Sequence, residues 1–170
     1  MVLWAHRAAT ATIRNVVEQT LRHIPRVLID TGTTTGHLHD KAQQAAAFEE
    51  FPIYDELRSS MTSQLDNACI QREVKMFYQY VMFSHRWQRI EPTFQQVHKT
   101  PIYKLPASPA YIKLQTFCQL VCTLRFQWAW SNTCCVNQLD KEVQQESLVV
   151  MFRWYRGTSL TVVHLLGVLS

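Results

Sequence analysis

Residues 77–84 read FYQYVMFS, an aromatic and partly β-branched run that lies between charged segments. Its length and composition are typical of a buried β-strand, and we place the start of the core domain here. Two later runs have the same character: WAWSNTCCV, residues 128–136, predicts a strand with its loop, and LTVVHLL, residues 160–166, predicts a last strand. IYKL, residues 102–105, is a shorter strand candidate.

Helices are predicted between these strands. Ser108 followed by Pro109 is typical of an N-cap with proline at the first helical position, so a helix starts there. The apolar residues of its buried stripe are spaced by three, four and three positions. They are Leu114, Phe117, Val121 and Leu124. A second helix covers residues 141–155 and ends at Gly157. Strands that alternate with helices of this length indicate an α/β fold, with a parallel sheet flanked by helices.

The first part of the chain is predicted to be helical. Apolar residues between Thr12 and His23 recur at three- and four-residue steps, and Pro25 stops this helix. TGTTTG, residues 31–36, is rich in turn formers and predicts a loop, but it lacks the Gly-Lys-Ser/Thr of a phosphate-binding loop. Two further helical stretches follow at about 40–50 and 55–65.

Length and composition limit the possible classes of protein. The 170 residues are enough for about one domain, and we divide them into a helical leader, residues 1–50, and an α/β domain, residues 51–170. A hydrophobic share of 47% favours a buried core over disorder. The net charge of +4 comes from scattered residues, so we expect no nucleic-acid partner. No apolar stretch approaches the roughly twenty residues that a membrane span needs.

The cysteines favour a reducing compartment. There are five of them, an odd number without CxxC spacing, so we expect a cytoplasmic protein. Cys118 and Cys122 lie one helical turn apart but have no histidine nearby, and His37 and His39 lie in a polar loop. We therefore predict no metal site.

The predicted topology indicates where in the fold a functional site would lie. Ligands of open parallel sheets bind beyond the carboxyl ends of the strands. This rule brings together the residues after the first strand, 84–87, and those after the second, 132–135. The first turns of the following helix, with Glu142 and Glu146, join them.

Several spaced motifs resemble a known family. In order they are YVMFSHRW (80–87), KLQTFC (113–118), WAWSNTCCVNQ (128–138), VMFRWYR (150–156) and LTVVHL (160–165). Together they resemble the fungal heterokaryon incompatibility (HET) domain, in the version common in mushroom-forming fungi (basidiomycetes), over about residues 51–168. The resemblance implies a role in non-self recognition, or allorecognition, that ends in programmed cell death. It also implies a fold similar to that of Toll/interleukin-1 receptor (TIR) domains, a flavodoxin-like parallel sheet, and some TIR domains hydrolyse NAD.

The same resemblance suggests catalytic and nucleotide-binding residues. VMFSHR resembles the first TIR strand and its ending, which implies that Ser84 and Arg86 lie at a nucleotide pocket. Glu146 is implied as the catalytic carboxylate, with Glu142 as the alternative. Cleavage of the nicotinamide bond builds positive charge on the ribose, and a nearby carboxylate stabilises that cation. NAD would then be a substrate, and no cofactor is expected.

Further residues complete or depart from the family pattern. His85, Trp87 and Asn132 are implied to line the same nucleotide pocket, with Trp87 stacked on a ring. The family usually has aspartate at the position of Asn132 and often has glycine at that of Gln88. The family fold also ordinarily continues beyond the last predicted strand, so we expect a domain that is incomplete at its C-terminus.

Two functional classes follow from these residues. The first is a TIR-like NAD hydrolase with Glu146 at its centre. The second is an interaction module that associates with itself or with another incompatibility protein. A Glu146 side chain that points into a concave pocket with Ser84 and Arg86 favours the enzyme, and one directed at solvent favours the interaction module.

Overall fold

The computed structural model describes residues 2–32, 35–60 and 67–165, and the side chains of residues 7–59 and 67–165 within them. Helices and strands alternate along this part of the chain. In chain order they are α1 (Val2–Leu21), β1 (Leu28–Asp30), β2 (Leu38–His39), α2 (Lys41–Glu49), α3 (Pro52–Ser60), α4 (Asn67–Phe77), β3 (Tyr80–His85), α5 (Phe94–Lys99), a 3-10 turn (Ile102–Lys104), α6 (Pro109–Thr123), β4 (Trp128–Ser131), α7 (Lys141–Gly157) and β5 (Leu160–His164).

The five strands form one sheet in the order β2-β1-β4-β3-β5. β3 runs parallel to both of its neighbours, with Val81 opposite Ala129 of β4 and opposite Leu160 of β5. β1 is antiparallel to β4 and to β2. The predicted α/β fold with parallel strands and flanking helices is confirmed.

The leader contributes strands as well as helices. Ile29 of β1 lies opposite Ala129 of β4, and Leu28 and Ile29 are completely buried. Two strands of three and two residues are too short to show a periodic pattern, so the interpretation of residues 1–50 as helical was incomplete. The leader and the later strands share one sheet, while the division at residue 51 stays a prediction.

The helix α1 confirms the predicted amphipathic segment. Ile13, Val17 and Leu21 are buried in the main core, in line with their three- and four-residue spacing. The later helical predictions for the leader agree with α2 and with α3 as far as Ser60. Residues 61–66, the rest of that predicted helix, and residues 33–34 of the predicted loop lie outside the described residues.

Two strand predictions need correction. The predicted strand at residues 102–105 is a 3-10 turn, Ile102–Lys104, capped by Leu105, and the Pro101 carbonyl accepts a hydrogen bond from the Lys104 N–H at 2.9 Å. The strand predicted from Phe77 starts only at Tyr80. Phe77 is the last residue of α4, and the Tyr78 N–H still donates to the Val74 carbonyl as in a helix.

The helix α6 starts as predicted. The Ser108 side chain accepts a hydrogen bond from the Tyr111 N–H at 3.4 Å, and Pro109 follows the cap. Leu114, Phe117 and Val121 are buried, as the stripe predicts. Leu124 follows the last helical residue and is exposed, so the stripe ends one position earlier than predicted.

The helix α7 packs across the parallel strands. Trp154 lies against Trp130 of β4, with ring centroids 5.8 Å apart. The Tyr80 hydroxyl of β3 donates a hydrogen bond of 2.6 Å to the Trp154 carbonyl. Among the described residues, none of the helices combines the length and the apolar character that crossing a bilayer requires.

Candidate functional site

The carboxyl end of β3 carries the four predicted residues Ser84, His85, Arg86 and Trp87. Ser84 is half-buried and lies near Tyr155 of α7, where it opposes the rise in the tyrosine pKa that burial causes. Arg86 and Trp87 are exposed, with 53% of Trp87 open to solvent. The strand end therefore presents one half-buried hydroxyl, one buried ring and two solvent-facing side chains.

A buried charged cluster lies directly behind this strand end. Lys113 Nζ donates to Glu91 Oε1 at 2.7 Å, and the Gln88 backbone N–H donates to the same oxygen at 2.8 Å. His85 Nε2 lies 3.4 Å from Glu91 Oε2. The side chains of His85, Glu91 and Lys113 are 1%, 10% and 5% exposed, respectively. Glu91 thus holds the loop after β3 through Gln88 while Lys113 balances its charge.

His85 is held as a neutral ring in this cluster. Burial lowers its pKa most strongly, Lys113 lowers it further, and Glu91 opposes both by raising it. The ring stacks on Phe83 at a centroid distance of 4.4 Å. Within the described residues, neither ring nitrogen makes a hydrogen bond. The surroundings of His85 are those of a packed group behind the surface.

Glu91 and Lys113 were not among the residues predicted from the sequence. Glu91 stands six residues after His85 in a polar stretch, and nothing in that stretch distinguishes it from a solvated acid. Lys113 falls within the motif KLQTFC, on a helix whose neighbouring positions are apolar. A lysine among such positions was the one sign in the sequence that it could be buried.

The end of β4 is built from small hydrogen-bonded side chains. Ser131 Oγ and Thr133 Oγ1 lie 3.0 Å apart, and the Ser131 N–H contacts Cys135 Sγ at 3.4 Å. The interaction of its S–H with the Cys135 sulfur, together with burial, raises the pKa of the Cys134 thiol well above its ordinary value. Cys134 therefore packs as an uncharged group, and Asn132, which lies between Ser131 and Thr133, is half-buried.

The two predicted carboxylates lie on the exposed side of α7. Asp140 caps this helix by accepting hydrogen bonds from the backbone N–H groups of Glu142 and Val143, both at 3.1 Å. Glu142 is exposed, and the Glu146 side chain is 71% exposed. Glu146 Oε2 lies 3.5 Å from Nη1 of Arg26, which is also exposed. The described contacts thus pair Glu146 with Arg26 rather than with Ser84 or Arg86, and its catalytic role stays a prediction.

Among the described residues β5 is an edge strand of the sheet, and apolar side chains surround this edge. Leu160, Val163 and Leu165 are exposed there. A second exposed apolar group lies on the outer side of α7; its members are Leu148, Val149 and Phe152. The described residues bring no three His, Cys, Asp or Glu side chains together in a group that could hold a metal ion.

One comparison with known proteins gives a match. The family model described as Heterokaryon incompatibility protein (HET) matches residues 80–168, just over half of the chain. The match runs from the first residue of β3 through β5, and it includes the buried cluster, the end of β4 and all of α7. No curated protein and no solved structure matches the chain significantly.

Proposed function

The chain belongs to the heterokaryon incompatibility (HET) family, and from that premise we propose that it serves heterokaryon incompatibility as an interaction module. In this proposal two copies of the chain associate through the open edge of β5. The observation that carries the proposal is that β5, which has no strand on its outer side among the described residues, presents backbone groups and apolar side chains there. Programmed cell death would follow from the assembly.

The backbone of β5 has hydrogen-bonding groups to offer. The Ser159 N–H donates across to the Tyr80 carbonyl at 3.1 Å. In a parallel strand both polar groups of a residue point the same way, and successive residues alternate. The registers of β4 with β1 and with β3 turn the polar groups of Tyr80 and Met82 toward β5. Leu160, Val162 and His164 therefore bond to β3, and the N–H and C=O groups of Thr161 and Val163 face the other side. Within the described residues, no strand pairs with that side.

The side chains of β5 do nothing to block another strand. Edge strands are usually protected by a lysine, a proline or a bulge. LTVVH contains no proline and no Lys, Arg, Asp or Glu. Such a strand pairs readily with an edge strand of another molecule. The partner would also bury more of the exposed Leu160 and Val163 side chains.

A second copy of the chain suits this edge because the strand is self-complementary. In an antiparallel pair centred on Val162, Thr161 faces Val163 and Leu160 faces His164, so no two His residues meet. Threonine, valine and leucine are strand formers that pack well across such pairs. A two-fold contact of this kind closes on itself and gives a dimer.

NAD hydrolysis is the alternative function, and it rests on the resemblance to TIR domains. It requires Glu146 to act together with Ser84 and Arg86. The solvent-directed Glu146 side chain and its pairing with Arg26 favour the interaction module instead.

Sedimentation over a range of protein concentrations tests the proposal. We expect a dimer for the natural sequence and at least tenfold weaker association for Val163→Lys, because a lysine on the edge is left poorly solvated in the pair. Ile112→Lys, which changes an exposed apolar residue on α6, is the matched control and should dimerise normally. A monomer at every concentration, or undiminished association of Val163→Lys, would contradict the proposal.

NAD consumption is measured in the same concentrated samples. The interaction module predicts no turnover in the natural sequence. Turnover that disappears in an equally folded Glu146→Ala variant would establish the hydrolase and its carboxylate instead.

A further inference from the structure

We propose that a cavity at the amino ends of β3 and β4 binds an amino-substituted nitrogen heterocycle of one or two rings. The cavity measures about 380 Å³, which is within the range of small-ligand sites. Gln79, just before β3, and Phe126 and Gln127, just before β4, contribute to its wall. It therefore lies at the opposite end of the parallel strands from Ser84 and Asn132, and it is independent of the proposed dimer edge.

The apolar part of the cavity suits a flat ring. Phe51 and Phe77 form one wall, with ring centroids 5.0 Å apart and planes inclined at 55°. Phe126 lines the cavity as a half-buried side chain. Phe51 and Met76 are 44% and 56% exposed, so apolar surface at the rim remains open to a ligand. Aromatic walls of this kind pack against planar ligands by stacking or edge contacts.

A fixed hydrogen-bond acceptor lies in the cavity. Gln127 Nε2 donates to Asp30 Oδ1 at 2.6 Å, and the Asp30 side chain is 4% exposed. The Gly32 N–H donates to the same Asp30 oxygen at 2.9 Å, which holds the carboxylate in place. Since the amide nitrogen of Gln127 is committed to Asp30, its carbonyl oxygen is oriented as an acceptor.

Gly32 makes room for that amide. A Cβ at this position would lie 2.3 Å from Gln127 Oε1, so only glycine allows the Gln127 side chain to lie here. The buried Asp30, the glycine and the amide thus form a preorganised group at the cavity wall.

The cavity also offers a charged acceptor and a charged donor. Glu73 lines it with a side chain that is 21% exposed, and its Oε1 pairs with Arg72. Arg125 supplies guanidinium donors on the side of the α6–β4 turn. Its φ of +63° is a conformation that residues other than glycine seldom adopt, and it keeps Arg125 in the tight turn that leads to Gln127.

These groups together select the ligand chemistry. Gln127 Oε1 and the Glu73 carboxylate accept hydrogen bonds, which an amino group and a ring N–H donate. Arg125 donates a hydrogen bond, which an unprotonated ring nitrogen accepts. A flat heterocycle with an amino substituent satisfies all of these groups, whereas a plain hydrocarbon donates no hydrogen bond to Gln127 or Glu73.

Cys122 provides a direct readout of occupancy. It lines the cavity and is exposed, while Cys69 is half-buried and the remaining cysteines, Cys118, Cys134 and Cys135, are buried. The test measures the rate at which iodoacetamide alkylates Cys122 in the full chain, with the modified residue identified by mass spectrometry. The probe is 2-aminobenzimidazole, and its matched control is 2-methylbenzimidazole, in which a methyl group replaces the amino group.

We expect 2-aminobenzimidazole to slow alkylation of Cys122 by at least fivefold at saturation. The methyl analogue should need about a tenfold higher concentration, because it leaves an acceptor unpaired. Met76→Arg should abolish the protection by filling the rim, and Glu73→Gln should reduce it. Ile112→Arg, an exposed apolar position on α6, should leave it unchanged. Thermal unfolding verifies that all variants are folded.

Three outcomes would overturn the proposal. The first is no protection by 2-aminobenzimidazole at any soluble concentration. The second is equal protection by both benzimidazoles, which would reduce the cavity to an apolar crevice. The third is full protection in folded Met76→Arg, which would place the probe elsewhere.

Discussion

Glu91 is the residue on which the carboxyl end of β3 depends. One of its oxygens accepts hydrogen bonds from Lys113 Nζ and from the Gln88 N–H, and the other faces His85. A buried carboxylate is tolerable only while these partners remain, since the cost of removing it from water is large. The loop that carries Arg86 and Trp87 is therefore held from behind by an ion pair that solvent scarcely reaches.

The first prediction concerns this ion pair. Lys113→Met leaves Glu91 buried without its cation and should lower the free energy of unfolding by about 3–5 kcal/mol. Urea denaturation measures the change, and Lys99→Met on the exposed side of α5 is the matched control, expected within about 0.5 kcal/mol of the natural sequence. Adding Glu91→Gln to Lys113→Met should recover part of the loss. A Lys113→Met variant as stable as the control would show that the carboxylate is not buried.

At the scale of elements, α7 and β3 meet at both ends of the strand. At one end Ser84 lies near Tyr155 and opposes the rise in the tyrosine pKa that burial causes. At the other end the Tyr80 hydroxyl donates to the Trp154 carbonyl, which lies in the last turn of α7 and lacks a helical partner. Burial raises the pKa of Tyr80 to about 12, so the hydroxyl keeps its proton over the ordinary pH range.

The second prediction tests the Tyr80 link. Tyr80→Phe removes the hydrogen-bond donor of the buried Trp154 carbonyl. The loss should reduce the free energy of unfolding by about 1–3 kcal/mol. Chemical denaturation gives the value. Tyr54→Phe is the control, because the Tyr54 hydroxyl makes no hydrogen bond within the described residues, and it should change stability little. Equal effects of the two substitutions would exclude a specific role for the Tyr80 hydroxyl.

The sequence predicted the longer elements and missed the shorter ones. β4, α6 and α7 were predictable because their apolar composition, caps and spacing are local. β1 and β2 were missed because two or three residues have no period, and they become strands only by pairing with β4. At the site, Ser84 and Asn132 were placed correctly at strand ends. The buried role of Glu91 depends on Lys113, which lies more than twenty residues away, and no local pattern shows such a pair.

At the scale of the whole molecule, the leader belongs to the core of the sheet. β1 lies between β2 and β4, and Phe48 from α2 contacts Phe77 at a centroid distance of 5.1 Å. Phe77 in turn meets Trp128 of β4 at 5.8 Å. The α/β part defined as residues 51–170 therefore lacks a neighbour of β4 and a wall of its core when the leader is removed.

The third prediction follows from this arrangement. A chain of residues 51–170 should show no cooperative unfolding transition, because it loses β1 and the buried face of α1. The complete chain should unfold in a single step. Calorimetry and far-UV circular dichroism of the two chains measure the difference. A cooperative transition of the shorter chain near the temperature of the complete one would establish residues 51–170 as an independent domain.

The pairing of β1 with β4 also bears on how the chain is made. Ile29 and Ala129 are ~100 residues apart along the chain, so β1 leaves the ribosome long before its partner does. At the usual synthesis rate of about 5–20 residues per second, it waits roughly 5–20 s for β4. During that interval its completely buried residues Leu28 and Ile29 have only the two residues of β2 to pair with. Nascent chains of this protein should therefore engage chaperones before translation is complete, and synonymous codons that slow synthesis between β1 and β4 should lower the yield of folded protein.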